Sequence, residues 1–221
     1  MTDYVAVLPS IYPPWTQRCL ASCDWDVLVI DNTVDNTGVG ASWNIGAQHC
    51  LDTGADWLII MSAALRFGEP RGEDFLAALD ANEGAIAVEA AHGIGWHLIA
   101  FARSTLERVG LFDENFWPAY FEDIDYARRV LVALAPGEEQ WWPKVTVDIA
   151  MAGVRHGVDL GGVKDDPDAL LSYYRRKWGG DPGLERWSVP FNDPTHDVRW
   201  WPTPPDPRAL VGGHTPRQGA V

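Results

Sequence analysis

The window FWPAYFEDIDYARRV, residues 116–130, sets Glu122, Asp123 and Asp125 directly behind Phe116, Trp117, Tyr120 and Phe121 and directly ahead of Arg128 and Arg129. Carboxylates in that setting can do two kinds of work. In the first turn of a helix they meet the positive end of the dipole, with the arginines further along. Inside aromatic walls, a carboxyl group is desolvated and can act as a general base toward a hydroxyl. The charge order fits the helix start. The aromatic approach, which a solvated turn does not need, fits the enclosure. On this window alone both readings stay open.

The elements that must position these acids are legible in the preceding hundred residues. YVAVLPSIYP is an apolar run stopped by Pro9, and WDVLVIDNTVDNTG is a second that ends in Asp31, Asn32 and Asp35. Both read as buried strands opening into loops at their carboxyl ends. PWTQRCLASC between them is a crossover helix with Pro14 near its start. GASWNIGAQHCLDTG is of helical length and closes at Gly54, and ADWLIIMSAALRF supplies a third buried strand. Alternating strand and helix predicts an α/β fold with a mainly parallel central sheet flanked by helices. Ligands of such sheets bind beyond the carboxyl ends of the strands. Pro9 and Ser10, Asp31 and Asn32, and the segment after Met61 are thereby placed around one crevice.

Further on, GEDFLAALDAN and STLERVG read as helices, GAIAVEAA and WHLIAFARS as strands, KVTVDIAMAGVRH as a strand ending near His156, and DPDALLSYYRRKWGG as a helix ending at Gly179. From Pro194 onward the chain is rich in proline and glycine without sustained period, predicting one domain over 1–193 and an extended tail over 194–221.

Composition narrows the function. With 221 residues, 47% hydrophobic, the chain can bury a substantial core. A formal charge of -14 argues against nucleic acid or an anionic membrane as main partner. No run is long enough to span a bilayer. The cysteines, Cys19, Cys23 and Cys50, are odd in number and lack a nearby histidine pair, so reduced thiols in a cytoplasm are expected rather than disulfides or zinc. Twelve tryptophans are an outlier that reads either as core filling or as platforms for sugars and bases.

Four segments together resemble the family 2 glycosyltransferases of the GT-A fold: VIDNTVDNTG, GASWNIGAQHC, VGLFDENFWPAYFEDIDYARR and VRHGVDLGG, with YYRRKWGG a weaker fifth. The third is the most specific. The resemblance implies a nucleotide-diphospho-sugar donor, a glycan or protein acceptor, and transfer with inversion by an enzyme of the hexosyltransferase type. It implies Asp123 as catalytic base, with Glu122 and Asp125 beside it. It also implies a nucleotide site around Pro9, Ser10, Asp31, Asn32, Asn44, Ser62 and Arg66, an acceptor floor using Trp96 and Trp117, and a metal contact at His156.

One departure stands out. Where the resemblance calls for a D-x-D motif to hold manganese or magnesium, the chain reads Ser62, Ala63, Ala64. The sequence therefore calls for no resident cofactor, although manganese or magnesium could arrive with the sugar nucleotide. Arg66, Arg103, Arg155 and Lys177 are the cations available to a diphosphate. A catalytically silent sugar-nucleotide or glycan-binding protein is the alternative reading, and FEDID speaks for the enzyme, since a binder has no use for a base. A nucleotidyltransferase is disfavoured by the lack of a glycine-rich phosphate loop.

Overall fold

The computed structural model describes residues 2–91, 96–133, 142–151 and 167–186. In chain order its elements are β1 (Tyr4–Ser10), α1 (Pro13–Leu20), β2 (Val27–Asp31), α2 (Val39–Thr53), β3 (Trp57–Met61), β4 (Leu65–Phe67), α3 (Glu73–Ala81), β5 (Ala87–Ala90), β6 (Leu98–Ala102), α4 (Arg103–Val109), α5 (Glu122–Ala133), β7 (Lys144–Val145), β8 (Ile149–Met151) and α6 (Pro167–Trp178). Six strands make one sheet in the order β2-β1-β3-β6-β5-β7. The pairs β1/β2, β1/β3 and β5/β7 are parallel, and β6 alone runs against its neighbours β3 and β5.

The central strands have the residues such positions demand. WLIIM of β3 is buried at every position because helices cover both faces. One face packs Cys19, Trp25, Phe75 and Leu79 against Leu8, Ile59 and Ala100. The other packs Trp43, Leu106, Phe112 and Tyr126 against Val7, Ile60 and Phe101. Gly46 lets α2 approach β1 closely: a Cβ at that position would stand 2.6 Å from the Val7 Cβ. Gly54 ends the same helix in the left-handed region at φ 76, its N–H bonded to the Cys50 carbonyl at 3.0 Å, as read from the sequence.

Two predicted strands divide. ADWLIIMSAALRF is one strand in the sequence reading, but the chain turns at Ser62–Ala64, where the Leu65 N–H reaches the Ser62 carbonyl and the Ala64 N–H reaches the Ser62 Oγ, at 3.1 and 3.2 Å. KVTVDIAM splits likewise. Its first part pairs with β5 and its second with β4 in a separate two-stranded sheet. The rest of that predicted strand, and the whole of the predicted tail, lie outside the described residues. All three cysteines are buried and free, and burial pushes the Cys19 and Cys50 thiols up to about 12. Among the described residues no helix is long and apolar enough to cross a membrane.

Candidate functional site

The carboxyl ends of β1, β2 and β3 open on one side of the sheet. Ser10 and Asp31 are paired in register, and the Asn32 N–H donates to the Ser10 carbonyl at 2.8 Å. Pro9 is half-buried beside them. The Ser10 hydroxyl is buried against Thr16 at 2.6 Å, so it helps seat α1. Asn32 organises the loop: its Nδ2 donates to Ser42 at 2.9 Å while its Oδ1 accepts from the Thr37 N–H and hydroxyl at 3.0 and 2.9 Å. Asp31 faces outward, with Oδ1 accepting the Thr33 N–H at 2.9 Å. Hydrogen bonds from the Thr33 hydroxyl and N–H hold its carboxyl below the usual range, so it remains an anion with a free edge toward solvent.

Asn44 lies deeper. Its Nδ2 donates to the Phe112 carbonyl and to Glu114 at 3.0 and 2.9 Å, and its Oδ1 accepts the Phe112 N–H at 2.7 Å. These bonds clamp α2 to the segment leading to the acids, so any part Asn44 has in nucleotide binding runs through the loop it holds. Trp117 makes a similar bridge, its Nε1–H donating to the Asn36 carbonyl at 2.9 Å. The aromatic approach thus divides its labour. Trp117 ties the acid segment to the Asp31 loop, while Phe116 is buried against Tyr173 of α6 with ring centroids 5.0 Å apart. Tyr120 is left 46% exposed.

Tyr120 and Phe121 have φ of 84 and 70, two consecutive non-glycine residues in the left-handed region. Strain of this kind, about 1–3 kcal/mol per residue, is commonly held at functional sites. It turns the chain sharply so that α5 starts on the acids. Glu122 is 6% exposed, and burial followed by the Asp123 charge pushes its carboxyl up to about 8; its Oε2 has no hydrogen-bond partner. Asp123 is half-buried, its Oδ1 accepting the Ile124 N–H at 2.8 Å. Burial raises its carboxyl as well, against the pull of that N–H and of the nearby His97.

Asp125 is fully enclosed. Its Oδ1 accepts the Trp178 Nε1–H at 2.8 Å and meets Lys177 Nζ at 2.6 Å, and its Oδ2 accepts Arg129 Nε at 3.0 Å. Lys177 also donates to Asp113 Oδ2 at 2.8 Å, which accepts the Tyr173 hydroxyl at 2.9 Å. The cluster fastens α6 to α5 and to the segment before it. Asp125 therefore acts on the site only through the elements it ties together. Lys177, read from the sequence as a cation for the diphosphate, is instead a structural counter-charge with no exposed side-chain surface. Arg103 is corrected too: it stands where β6 ends beside the start of β3, paired with Glu107 at 3.1 Å, at the opposite end of the sheet. A cavity of about 460 Å³ lined by Asp56, Asp80, Glu83 and Arg103 opens at that same end and has no part in the crevice.

At the end of β3 the Ser62 N–H donates to the His97 carbonyl at 2.8 Å. Arg66, on β4, folds its Nη1 back onto the Ala63 and Leu65 carbonyls and leaves a buried Nη2 without a partner. Among the described residues there is no group of three or more His, Cys, Asp or Glu that could hold a metal ion. Ser62 and the two alanines after it offer no carboxylate, so the described residues do not fit a carboxylate-held divalent cation. His156 and Arg155 lie outside the described residues. Trp96 packs on Phe101, Tyr126 and Trp142 at 5.1, 6.3 and 5.9 Å, which makes it a rim of the core beside the site. Tyr120 was read from the sequence only as part of the aromatic approach, and His97 was missed. The only signal for His97 was a polar residue opening an otherwise apolar strand.

No family model and no curated protein matches the chain. Solved structures do. The mannosyltransferase PcManGT from Pyrobaculum calidifontis, in complex with GDP-Man and Mn2+, aligns over 70% of this chain and 58% of its own at 14% identity, with a TM-score of 0.51. S. aureus TarS in complex with UDP-GlcNAc aligns over 80% of this chain and 65% of its own at 10% identity, with a TM-score of 0.50. The chain thus spans less than two thirds of either protein. An α/β sheet in which β6 alone is reversed, helices on both faces and a crevice at the strand ends give this chain the GT-A-like fold of these nucleotide-sugar glycosyltransferases.

Proposed function

We propose that the chain transfers a sugar from a nucleotide diphosphate donor to an acceptor hydroxyl, with inversion and with Asp123 as general base. The observation that supports this reading is the contrast among three neighbouring acids: Glu122 and Asp125 are buried, whereas Asp123 is only half-buried. Only the accessible carboxylate can meet an incoming hydroxyl. The acceptor oxygen forms its bond to the anomeric carbon from the face opposite the leaving group. Its proton passes to the Asp123 carboxylate, and the bond from the anomeric carbon to the diphosphate oxygen breaks with its electron pair going to the diphosphate.

The remaining roles follow from placement. Asp31, anionic and outward-facing, accepts a ring N–H of the base. Tyr120 and Trp117 flank the acceptor, which is a glycan or a glycosylated or unmodified protein side chain. Arg66 meets the diphosphate, since its buried, unpartnered Nη2 is a donor in want of an anion. Glu122, neutral below about 8, shapes the cup without competing for the proton.

The test is a panel of sugar nucleotides assayed for transfer and hydrolysis with wild type and Asp123→Asn. Transfer should fall roughly a hundredfold or more while donor affinity holds, because the amide keeps the shape and loses the basic oxygen. Turnover near the wild-type rate in the variant would remove Asp123 from this role.

A further inference from the structure

The edge of the main sheet carries a surface that the transfer chemistry does not use. β2 ends the strand order, pairing with β1 on one side and with no described strand on the other. In a parallel ladder successive residues turn their backbone groups to alternate sides. Because the Asn32 N–H reaches the Ser10 carbonyl at 2.8 Å, Ile30 and Leu28, two and four residues earlier, also face β1. Val27, Val29 and Asp31 therefore aim their N–H and C=O groups outward, and among the described residues nothing bonds to them. The side chains agree. Leu28 and Val29 are 37% and 36% exposed although they point to opposite faces, Val27 lying with the α1 core and Ile30 with the α2 core. Edges of this kind are normally blunted by a lysine, a proline or a bulge. VLVID has neither residue, and its register against β1 is unbroken.

What the edge does carry is negative charge. From Cys19 to Leu65 the chain has no lysine or arginine, and β2 lies between the exposed Asp26 and the exposed Asp31 and Asp35. Arg71 meets Asp24 at 3.1 Å, whereas among the described residues no cation pairs with Asp26 or Asp31. A second copy is a poor occupant. Antiparallel pairing about Val29 would set Asp31 opposite the other copy's Val27 and next to its Asp26, and like charges across strands repel. A basic extended segment meets both demands, since Asp26 and Asp31 are separated by about 17 Å of extended chain, the span between basic residues five apart in an added strand. We propose that β2 is a docking edge for an extended segment of a protein partner, added to the sheet as a further strand with apolar residues beside Leu28 and Val29 and a basic residue against each of Asp26 and Asp31. Main-chain bonds hold such a strand, and the flanking charges select it.

The probe is the peptide acetyl-Lys-Thr-Ile-Val-Thr-Lys-amide, titrated to millimolar concentration into the isotope-labelled full chain and followed by NMR. The Val27, Val29 and Asp31 amide signals should shift saturably, and the Val29 amide should exchange with solvent severalfold more slowly. Replacing both lysines of the peptide by glutamate should weaken binding roughly tenfold, and added salt should weaken it as well. Asp31 also serves the proposed nucleotide site, so the variants are placed elsewhere. Val29→Pro removes one outward N–H and spares the β1 ladder, and should weaken binding roughly fivefold or more. Asp26→Lys leaves the backbone untouched and should weaken it about threefold or more. Shifts absent from β2, or an affinity unchanged in either folded variant, would overturn the proposal; the wild-type exchange and Asp26→Lys decide it even if Val29→Pro does not fold. Self-association in sedimentation velocity without peptide binding would also overturn it and give the edge to a second copy. None of these readouts involves sugar transfer, so the transferase reading stands or falls separately.

Discussion

Lys177→Met is the most direct probe of how the acid helix is held. The thioether keeps the length and most of the volume of the lysine and removes only the ammonium. In the structure that ammonium stands 2.8 Å from Asp113 Oδ2 and 2.6 Å from Asp125 Oδ1, all three side chains having no exposed surface. With Arg129 against Asp125 at 3.0 Å, the cluster balances two carboxylates with two cations. Removing one cation strands a negative charge in a site that water does not reach. Breaking a buried pair in this way costs about 3–5 kcal/mol. For a domain of this size, each kcal/mol lowers Tm by roughly 2–4 °C, so the expected drop is about 6–20 °C. Urea denaturation followed by circular dichroism, alongside calorimetry, measures it. Asp113→Asn combined with Lys177→Met should cost less than the two single losses together, since the residues share one interaction. A loss below about 1 kcal/mol with an unchanged m-value would refute the reasoning, because an enclosed network cannot lose its ammonium so cheaply.

Three further outcomes are expected. The Glu122 carboxyl is raised from 4.5 to about 8 by burial and by the Asp123 charge, so the folded state keeps a proton that the unfolded chain releases. Below the lower value both states are protonated; between the two, stability should fall with rising pH by up to roughly 1.4 kcal/mol per unit, and above the upper value the loss should level off. Denaturation of wild type and Glu122→Gln across that range isolates the effect, and a pH-independent difference between the curves would contradict it. Gly46→Ala should destabilise by about 1–3 kcal/mol, because the new methyl meets the branched, stiff Val7 rather than a yielding side-chain end; a neutral outcome in the same urea assay would mean α2 can lift off β1. Arg66→Ala should weaken binding of a nucleoside diphosphate roughly tenfold to a hundredfold by calorimetric titration, the worth of a charge-assisted hydrogen bond, while wild-type transfer persists after exhaustive chelation. Activity that vanishes on chelation and returns with manganese would transfer that role from Arg66 to an ion.

The sequence carried the layer order well, because buried strands such as WLIIM and a glycine-capped helix such as α2 advertise themselves through local composition. It carried the site only in outline. The turn at Ser62 was hidden inside an apolar run because a single serine, using its own Oγ and carbonyl, is enough to reverse the chain. Lys177 was misassigned because a lysine near a helix end looks like surface, and only a partner 64 residues away reveals it as core. Asn44 belongs to the same class. Its bonds to Phe112 join residues 68 apart, and no local pattern separates such a clamp from a ligand contact. The acids were legible as a group, but which of them are buried depends on where α5 begins, directly after the consecutive left-handed residues Tyr120 and Phe121, a geometry that their side chains do not announce.

The buried cluster also imposes an order in time. Asp113 leaves the ribosome 64 residues ahead of the lysine that balances it, an interval of about 3–13 s at common rates of synthesis. Until then neither Asp113 nor Asp125 can be sealed from water at tolerable cost, and Phe116 has no Tyr173 to rest on. The sheet core of β1 to β6 can condense during that wait, since its contacts do not involve α6. Assembly of the acid-bearing helix α5 into its final seat is therefore the late event, and the nascent chain carries its acids hydrated and its aromatic approach uncovered until α6 arrives.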